Sequence, residues 1–218
     1  VLRLFQVWSI DFGKNLVGRR APGRWSDRAS SCGRRLTVVS QDQGAWQVFG
    51  ERTVYDNRWV RLELADVQAP NGERMDYHVV SLDRIAIALV VDDQDRALML
   101  WRYRFPVGQW GYELLGGLVE QGEDPAVAAA RETVEESGWR PVGESEHLIS
   151  FEPLPGQVRA PVDVYLWRAA EHVGDPTDTE EVGRVEWVPL SRIPELAQQG
   201  KLLGAGALVP LMYYIATR

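Results

Sequence analysis

The chain has 218 residues, 45% hydrophobic and 25% charged, enough apolar side chain for a packed core. No apolar run approaches the ~20 residues of a membrane span, and the single cysteine, Cys32, excludes a disulfide framework and a cysteine-rich zinc site. The net charge of −7 is uneven: residues 1–44 hold eight Arg or Lys against three Asp, which leaves −12 on the remainder, a poor surface for nucleic acid. A reducing cytoplasm is therefore the expected compartment, with neither membrane nor nucleic acid as a partner. His78, His147 and His172 lie at no ligand-like spacing, which argues against a zinc hydrolase.

Residues 1–44 are rich in Arg, Ser and Gly and carry no sustained apolar period after Ile10, so they read as a basic, disordered extension. From Trp46 the pattern becomes short alternating runs. Val48 to Val54, Trp59 to Val67 and Arg74 to Ser81 are expected strands, broken by Asp56-Asn57 and by Pro70-Asn71-Gly72. Residues 45–82 then form a small antiparallel sheet, marginal without a partner surface. Residues 83–218 make the main domain. Ile85 to Val91 is a continuous apolar run, as a central strand buried on both faces requires. Ala97 to Tyr103 follows the Asp92–Asp95 turn, and Tyr112-Glu113-Leu114-Leu115-Gly116 leads into the stretch that carries the chemistry.

That stretch, Gly117 to Trp139, reads GLVEQGEDPAVAAARETVEESGW. Asp124 is a good N-cap, Pro125 suits the first helical position, and Gly138 can take the left-handed conformation that ends a helix. Glu132, Glu135 and Glu136 share one helix face at i, i+3 and i+4. Like charges so placed destabilise a helix by ~0.2–0.5 kcal/mol per pair, so a cation is expected beside them. Hard divalent ions such as Mg²⁺ take carboxylate and carbonyl oxygens. A lone ExxEE would more simply be a solvated acidic face. The wider spacing, Gly117, Glu123, Arg131, Glu132, Glu135, Glu136 and Gly138, has a chance probability on the order of 10⁻⁸ at one start point.

This spacing, G-x5-E-x7-R-E-x-x-E-E-x-G, resembles the Nudix box. The flanking RTVYDNRWVRLELADVQAPNGER and WRYRFPVGQWGYELLGG resemble the ADP-ribose pyrophosphatase branch of that family, as does the terminal GKLLGAGALVPLMYY. The resemblance implies an α+β fold, a Nudix α/β/α sandwich with a mixed sheet, preceded by the small N-terminal antiparallel β-sheet. It implies Mg²⁺ or Mn²⁺ held by Glu132, Glu135, Glu136 and the carbonyl of Gly116. Arg131 takes an orienting role opposite Glu123, and Glu180 or Glu181 handles the attacking water, with Asp178 behind them. Arg104 matches a phosphate-contacting arginine and Glu113 a strand glutamate near the metals. Trp59 and Tyr77 stand where aromatic side chains of two subunits sandwich the base in that branch, which implies a homodimer with shared sites.

The chain departs from the family and its branch in four places. Thr133 and Trp139 replace aliphatic residues at packing positions. Leu115-Gly116 replaces the usual Pro-Ala before the box, so a more mobile turn is expected. Val158-Arg159-Ala160 stands where an acidic pair is usual after the Pro153–Gly156 loop. The implied reaction is hydrolysis of a nucleoside diphosphate derivative, with ADP-ribose giving AMP and ribose 5-phosphate. Another nucleotide sugar, NADH or a coenzyme A derivative is the alternative substrate. A non-catalytic nucleotide-binding domain is the alternative of another class, but binding alone would not require crowded carboxylates. At the C-terminal end, Arg184 to Val188 reads as a strand, Ser191 as the cap of a helix over 192–199, and Ala205 to Thr217 as a second helix.

Overall fold

The computed structural model describes residues 44–178 and 183–218, all within one compact unit. Thirteen strands and three α-helices follow in order. They are β1 (Gln47–Asp56), β2 (Arg61–Gln68), β3 (Arg74–Ser81), β4 (Ile85–Val90), β5 (Arg96–Arg104), β6 (Gln109–Glu113), β7 (Leu115–Leu118), α1 (Pro125–Ser137), β8 (Trp139–Pro141), β9 (Glu146–Phe151), β10 (Val158–Arg159), β11 (Val162–Trp167), β12 (Ala170–His172), β13 (Arg184–Pro189), α2 (Ile193–Gln198) and α3 (Gly204–Thr217).

The core is built on β4, whose residues are apolar on both faces. Ile87 and Leu89 pack with α2 and α3 through Ile193, Leu196, Ala207 and Leu211, while Ala86, Ala88 and Val90 pack with Ala128 and Ala129 of α1. Helices on opposite faces of strands buried on both sides give the expected α/β/α layering. The central sheet runs β7-β4-β11-β9, with β4 and β11 parallel and the outer pairs antiparallel. A second sheet, β13-β5-β6, presents Leu98 and Leu100 to the α1 side and Ala97 and Met99 to the other. Each fully buried Leu of this set contributes about 1.5–3 kcal/mol relative to exposure.

The N-terminal sheet runs β1-β2-β3-β10. Its outer strand β1 is exposed along all ten residues, while β3 pairs in parallel with the short β10. Arg159 of β10 reaches across to Glu51 and Glu63. The acidic pair usual at this point is thus replaced by a cation that fastens the small sheet.

One local expectation fails. A 3-10 turn, Leu190–Arg192, precedes α2, and no side chain caps the helix start. The Ser191 hydroxyl would need the N–H of residue 193 or 194. Ile193 gives its N–H to Leu190 O, and Pro194 has none. Helix α1, by contrast, begins with Asp124 accepting from Ala126 N and ends on Gly138 at φ 71°.

Candidate active site

The site grows from Gly116 and Gly117 of β7, the strand that packs between β4 and α1. Gly116 has φ 154°, and a Cβ there would overlap the Ala86 carbonyl oxygen and lie 2.8 Å from Ile87 Cα. Only glycine lets β7 approach β4 so closely. The mobile turn expected here gives way to a tight strand pairing, Ile87 opposite Gly116. A Cβ at Gly117 would sit 2.5–2.7 Å from the carboxylate oxygens of Glu132, so the missing side chain is the cradle for that carboxylate. The N–H of Gly116 donates to Glu136 Oε2 at 2.8 Å. Two carboxylates one helical turn apart are thereby aimed at one stretch of backbone.

Arginines hold the acidic set. Arg131 donates to Glu123 through Nε at 3.0 Å and Nη2 at 3.1 Å, and through Nη1 to Glu132 at 2.8 Å and Glu135 at 3.1 Å. Arg102 donates through Nη1 to Glu136 Oε1 at 2.8 Å and through Nε to Glu113 Oε2 at 2.7 Å. Arg104 donates to the same Glu113 through Nε and Nη2. Among the described residues, five carboxylates against three guanidinium groups leave two negative charges when all five are ionised.

Burial pushes Glu136 up to about 7, against the pull of Arg102 and the Gly116 N–H. Burial also raises Glu132, with Arg131 opposing and Glu135 and Glu123 adding to the rise. Burial opposes ionisation of Glu113 as well, but Arg104 and Arg102 outweigh it and hold that carboxyl low. The hydrogen bond from Arg131 keeps Glu123 low. Two glutamates whose charge is costly stand beside two whose charge is secured, the environment of a cation-binding site.

Among the described residues, no three His, Cys, Asp or Glu side chains already form a metal-binding cluster. The donor set nonetheless fits a hard divalent ion. Glu132 and Glu136 flank Gly116 and Gly117, all donors are oxygens, and the residual charge of the set is opposite in sign to the ion.

Arg131, Glu132, Glu135, Glu136, Glu113, Arg104 and Gly116 are thus brought together. Trp59 and Tyr77 lie on the N-terminal sheet. Trp59 is exposed with Arg58 4.1 Å over its ring. Tyr77 donates its hydroxyl to Gly156 O at 2.6 Å, in the Pro153–Gly156 loop, and meets Trp46 edge to face. Glu180 and Glu181 lie outside the described residues. Asp178 is tied to the helix through its N–H, which with that of Thr177 donates to Glu135 O. Thr133 is fully buried, its hydroxyl donating to Ala129 O, and Trp139 packs against Trp187 and His172, so both are packing residues.

Arg102 escapes the sequence reading. The signal was present: it stands two before Arg104, so on a strand the two share a face.

The NUDIX domain model matches residues 81–204, and the model of the nucleoside diphosphate sugar hydrolase N-terminal domain matches residues 46–80. A CMP-5'-(N-acetyl-N-hydroxy-3-aminopropyl)phosphonate hydrolase of Streptomyces rubellomurinus is 41% identical over 77% of this chain and 81% of its own. An ADP-ribose pyrophosphatase of Bacillus subtilis is 24% identical over 67% of this chain and 77% of its own. The crystal structure of an ADP compounds hydrolase superposes with TM-score 0.70 over 81% of this chain and 96% of its own, at 18% identity, a likeness of fold. With the box on α1 and the family model covering more than half of its length, the chain belongs to the Nudix hydrolases and is a pyrophosphohydrolase.

Proposed function

We propose that the enzyme uses Mg²⁺, or Mn²⁺, to hydrolyse the diphosphate linkage of a nucleoside diphosphate derivative, with ADP-ribose giving AMP and ribose 5-phosphate. The observation that carries this reading is the glutamate–arginine cluster around Gly116 and Gly117, with its excess of two carboxylates over guanidinium groups. Glu132 and Glu136, with Glu135 shared and the Gly116 carbonyl, would hold the ion, which would polarise the phosphoryl oxygens and ease loss of a proton from water. Arg131 fixes the orientation of Glu132 and Glu135 while Glu123 anchors it from the loop. Arg104, held on the strand by Glu113, is a cation for the substrate phosphates. Glu180 or Glu181 accepts the proton of the attacking water.

The base is taken by the N-terminal sheet. The ten-residue outer strand β1 is exposed and carries Val48, Phe49, Val54 and Tyr55 on its surface, with exposed Trp46 just before it. A long apolar edge of this kind is covered in a stable protein. A second copy of the chain covers it, and the resulting homodimer brings Trp59 and Tyr77 of different subunits to one base.

A second reading of the substrate has specific support. The Streptomyces relative is named for a CMP-linked phosphonate, and its identity exceeds that of the ADP-ribose pyrophosphatases. Arg159 in place of an acidic residue also separates this chain from the ADP-ribose pattern. A cytidylyl phosphonate is then the substrate, cleaved at the same phosphorus–oxygen–phosphorus link. The test is a panel of ADP-ribose, a CMP-linked phosphonate, nucleotide sugars, NADH and a coenzyme A thioester, with Mg²⁺ and with EDTA. Metal-dependent release of a nucleoside monophosphate is expected from the first or second compound. Equal turnover in EDTA, or none on any compound, refutes the proposal.

A further inference from the structure

Each described carboxylate of the cluster around Gly116 and Gly117 faces a guanidinium, three such groups serving five carboxylates. Arg102 differs from the other two in burial and reach. Only 5% of its side chain is exposed, and it joins three elements: its own strand β5, Glu113 on β6 and Glu136 on α1. Glu136 is equally buried, with its side chain 4% exposed. One of its oxygens faces Arg102 Nη1 and the other the Gly116 N–H. A divalent ion that takes Glu136 as a ligand must compete with Arg102 for Oε1. Glu113 is held by both Arg102 and Arg104, so the guanidinium keeps an anion beside it when Glu136 turns to the ion.

We propose that Arg102 is the positioning residue of the metal site and its internal counter-cation. It holds Glu136 in place in the metal-free enzyme, weakens divalent-ion binding by competing for Glu136, and is displaced when the ion binds. The inference rests on the metal-dependent reading above. A buried charge pair without this exchange would leave ion affinity untouched, or higher with the arginine present.

The experiment is calorimetric titration of the full chain with Mn²⁺ or Mg²⁺, without substrate and at slightly alkaline pH. Wild type, Arg102→Gln and Arg102→Lys are compared. Removing the competing charge should tighten ion binding about tenfold or more in Arg102→Gln, while Arg102→Lys, which keeps the charge, stays within about threefold of wild type. Turnover should fall in Arg102→Gln despite tighter ion binding, because Glu136 has lost its orientation. Equal or weaker ion binding in a folded Arg102→Gln overturns the proposal and leaves the metal-dependent reading standing. If wild type binds neither ion, both fail. If Arg102→Gln does not fold, the Nε–Hε NMR signal of Arg102 in wild type decides, assigned through Arg102→Lys. Mg²⁺ should shift that signal and speed its exchange with water, and an unmoved signal overturns the proposal.

Discussion

Two adjacent glycines should respond to the same substitution in opposite ways. In Gly116→Ala the new methyl group meets backbone: the Ala86 carbonyl oxygen and Ile87 Cα, the latter at 2.8 Å, where real Cβ atoms essentially never come under 3.0 Å. Neither neighbour can rotate away, so β7 must move off β4. The residue is also left at φ 154°, a conformation that costs a non-glycine residue about 1–3 kcal/mol. Displacing the strand also strains the Gly116 N–H bond to the buried Glu136 carboxylate, of a kind that contributes about 1.5–3 kcal/mol. Together these predict a loss of about 3–5 kcal/mol, and a melting temperature lowered by about 6–20 °C for a chain of this length. In Gly117→Ala the three atoms nearest the methyl group all belong to the end of the Glu132 side chain, which can swing aside. Its stability should change by less than about 1 kcal/mol. Its turnover should fall about 10²-fold, because a ligand carboxylate is displaced by about 1 Å. Thermal melts in EDTA and steady-state rates with saturating Mg²⁺ measure both quantities. Equal melting of the two variants, or full turnover in Gly117→Ala, would refute the assignment of the first glycine to strand packing and the second to the carboxylate.

Glu136→Gln should lower turnover by about 10³-fold or more, while its melting temperature in EDTA holds or rises because a buried charge beside Glu132 is gone. Asp92 accepts from Gln94 N, Arg96 N and the Arg96 side chain, and these bonds hold its carboxyl low although burial opposes them. A lowered folded-state value means stability fully present above the ordinary value of 3.8 and lost as pH falls from there through the lower folded-state value. Asp92→Asn should therefore cost about 1–2 kcal/mol in neutral urea unfolding, the difference closing in acid. A chain starting at Ala45 should keep wild-type turnover and melting temperature, and loss of either would show that residues 1–44 act on the body. Trp59→Ala should weaken substrate binding by about 1–3 kcal/mol with a smaller effect on turnover. Sedimentation of the wild type tests the shared site beneath that variant, since a species near 24.6 kDa would remove the dimer.

Elements with strong local chemistry were legible in the sequence. Asp124, Pro125 and Gly138 fixed both ends of α1, and the unbroken apolar run of β4 disclosed a strand buried on two sides. The start of α2 was misread because Ser191 satisfies a capping pattern whose donors are already engaged, a fact of three-dimensional hydrogen bonding. Within the site, the helix glutamates were visible from their spacing. Their charge compensation was not, since Arg102 and Glu136 lie 34 positions apart in the chain and meet only when β5 packs beside α1. The reading of Leu115-Gly116 as a loosened turn erred for a related reason. Glycine freedom belongs to an isolated chain, and here it is used up by close approach to Ala86.

The end of α1 offers a handle for engineering. The Glu135 carbonyl, one of those a helix leaves without an internal partner, takes the N–H groups of both Thr177 and Asp178. Val173 donates to Gly138 O, and a Cβ on Gly138 would stand 2.9 Å from the carbonyl carbon of Gly174. On its far side the connection is received by β13, which pairs with β5 from Arg184 opposite Trp101. The anchors described on both sides are main-chain hydrogen bonds, which do not depend on the side chain at Thr177. Side-chain exchanges at Thr177 that keep its N–H should leave the helix that carries the glutamates undisturbed. A library at the exposed positions Asp175, Pro176 and Thr177, keeping Gly138 and Gly174, varies side chains on a main-chain frame that stays tied to the glutamate helix.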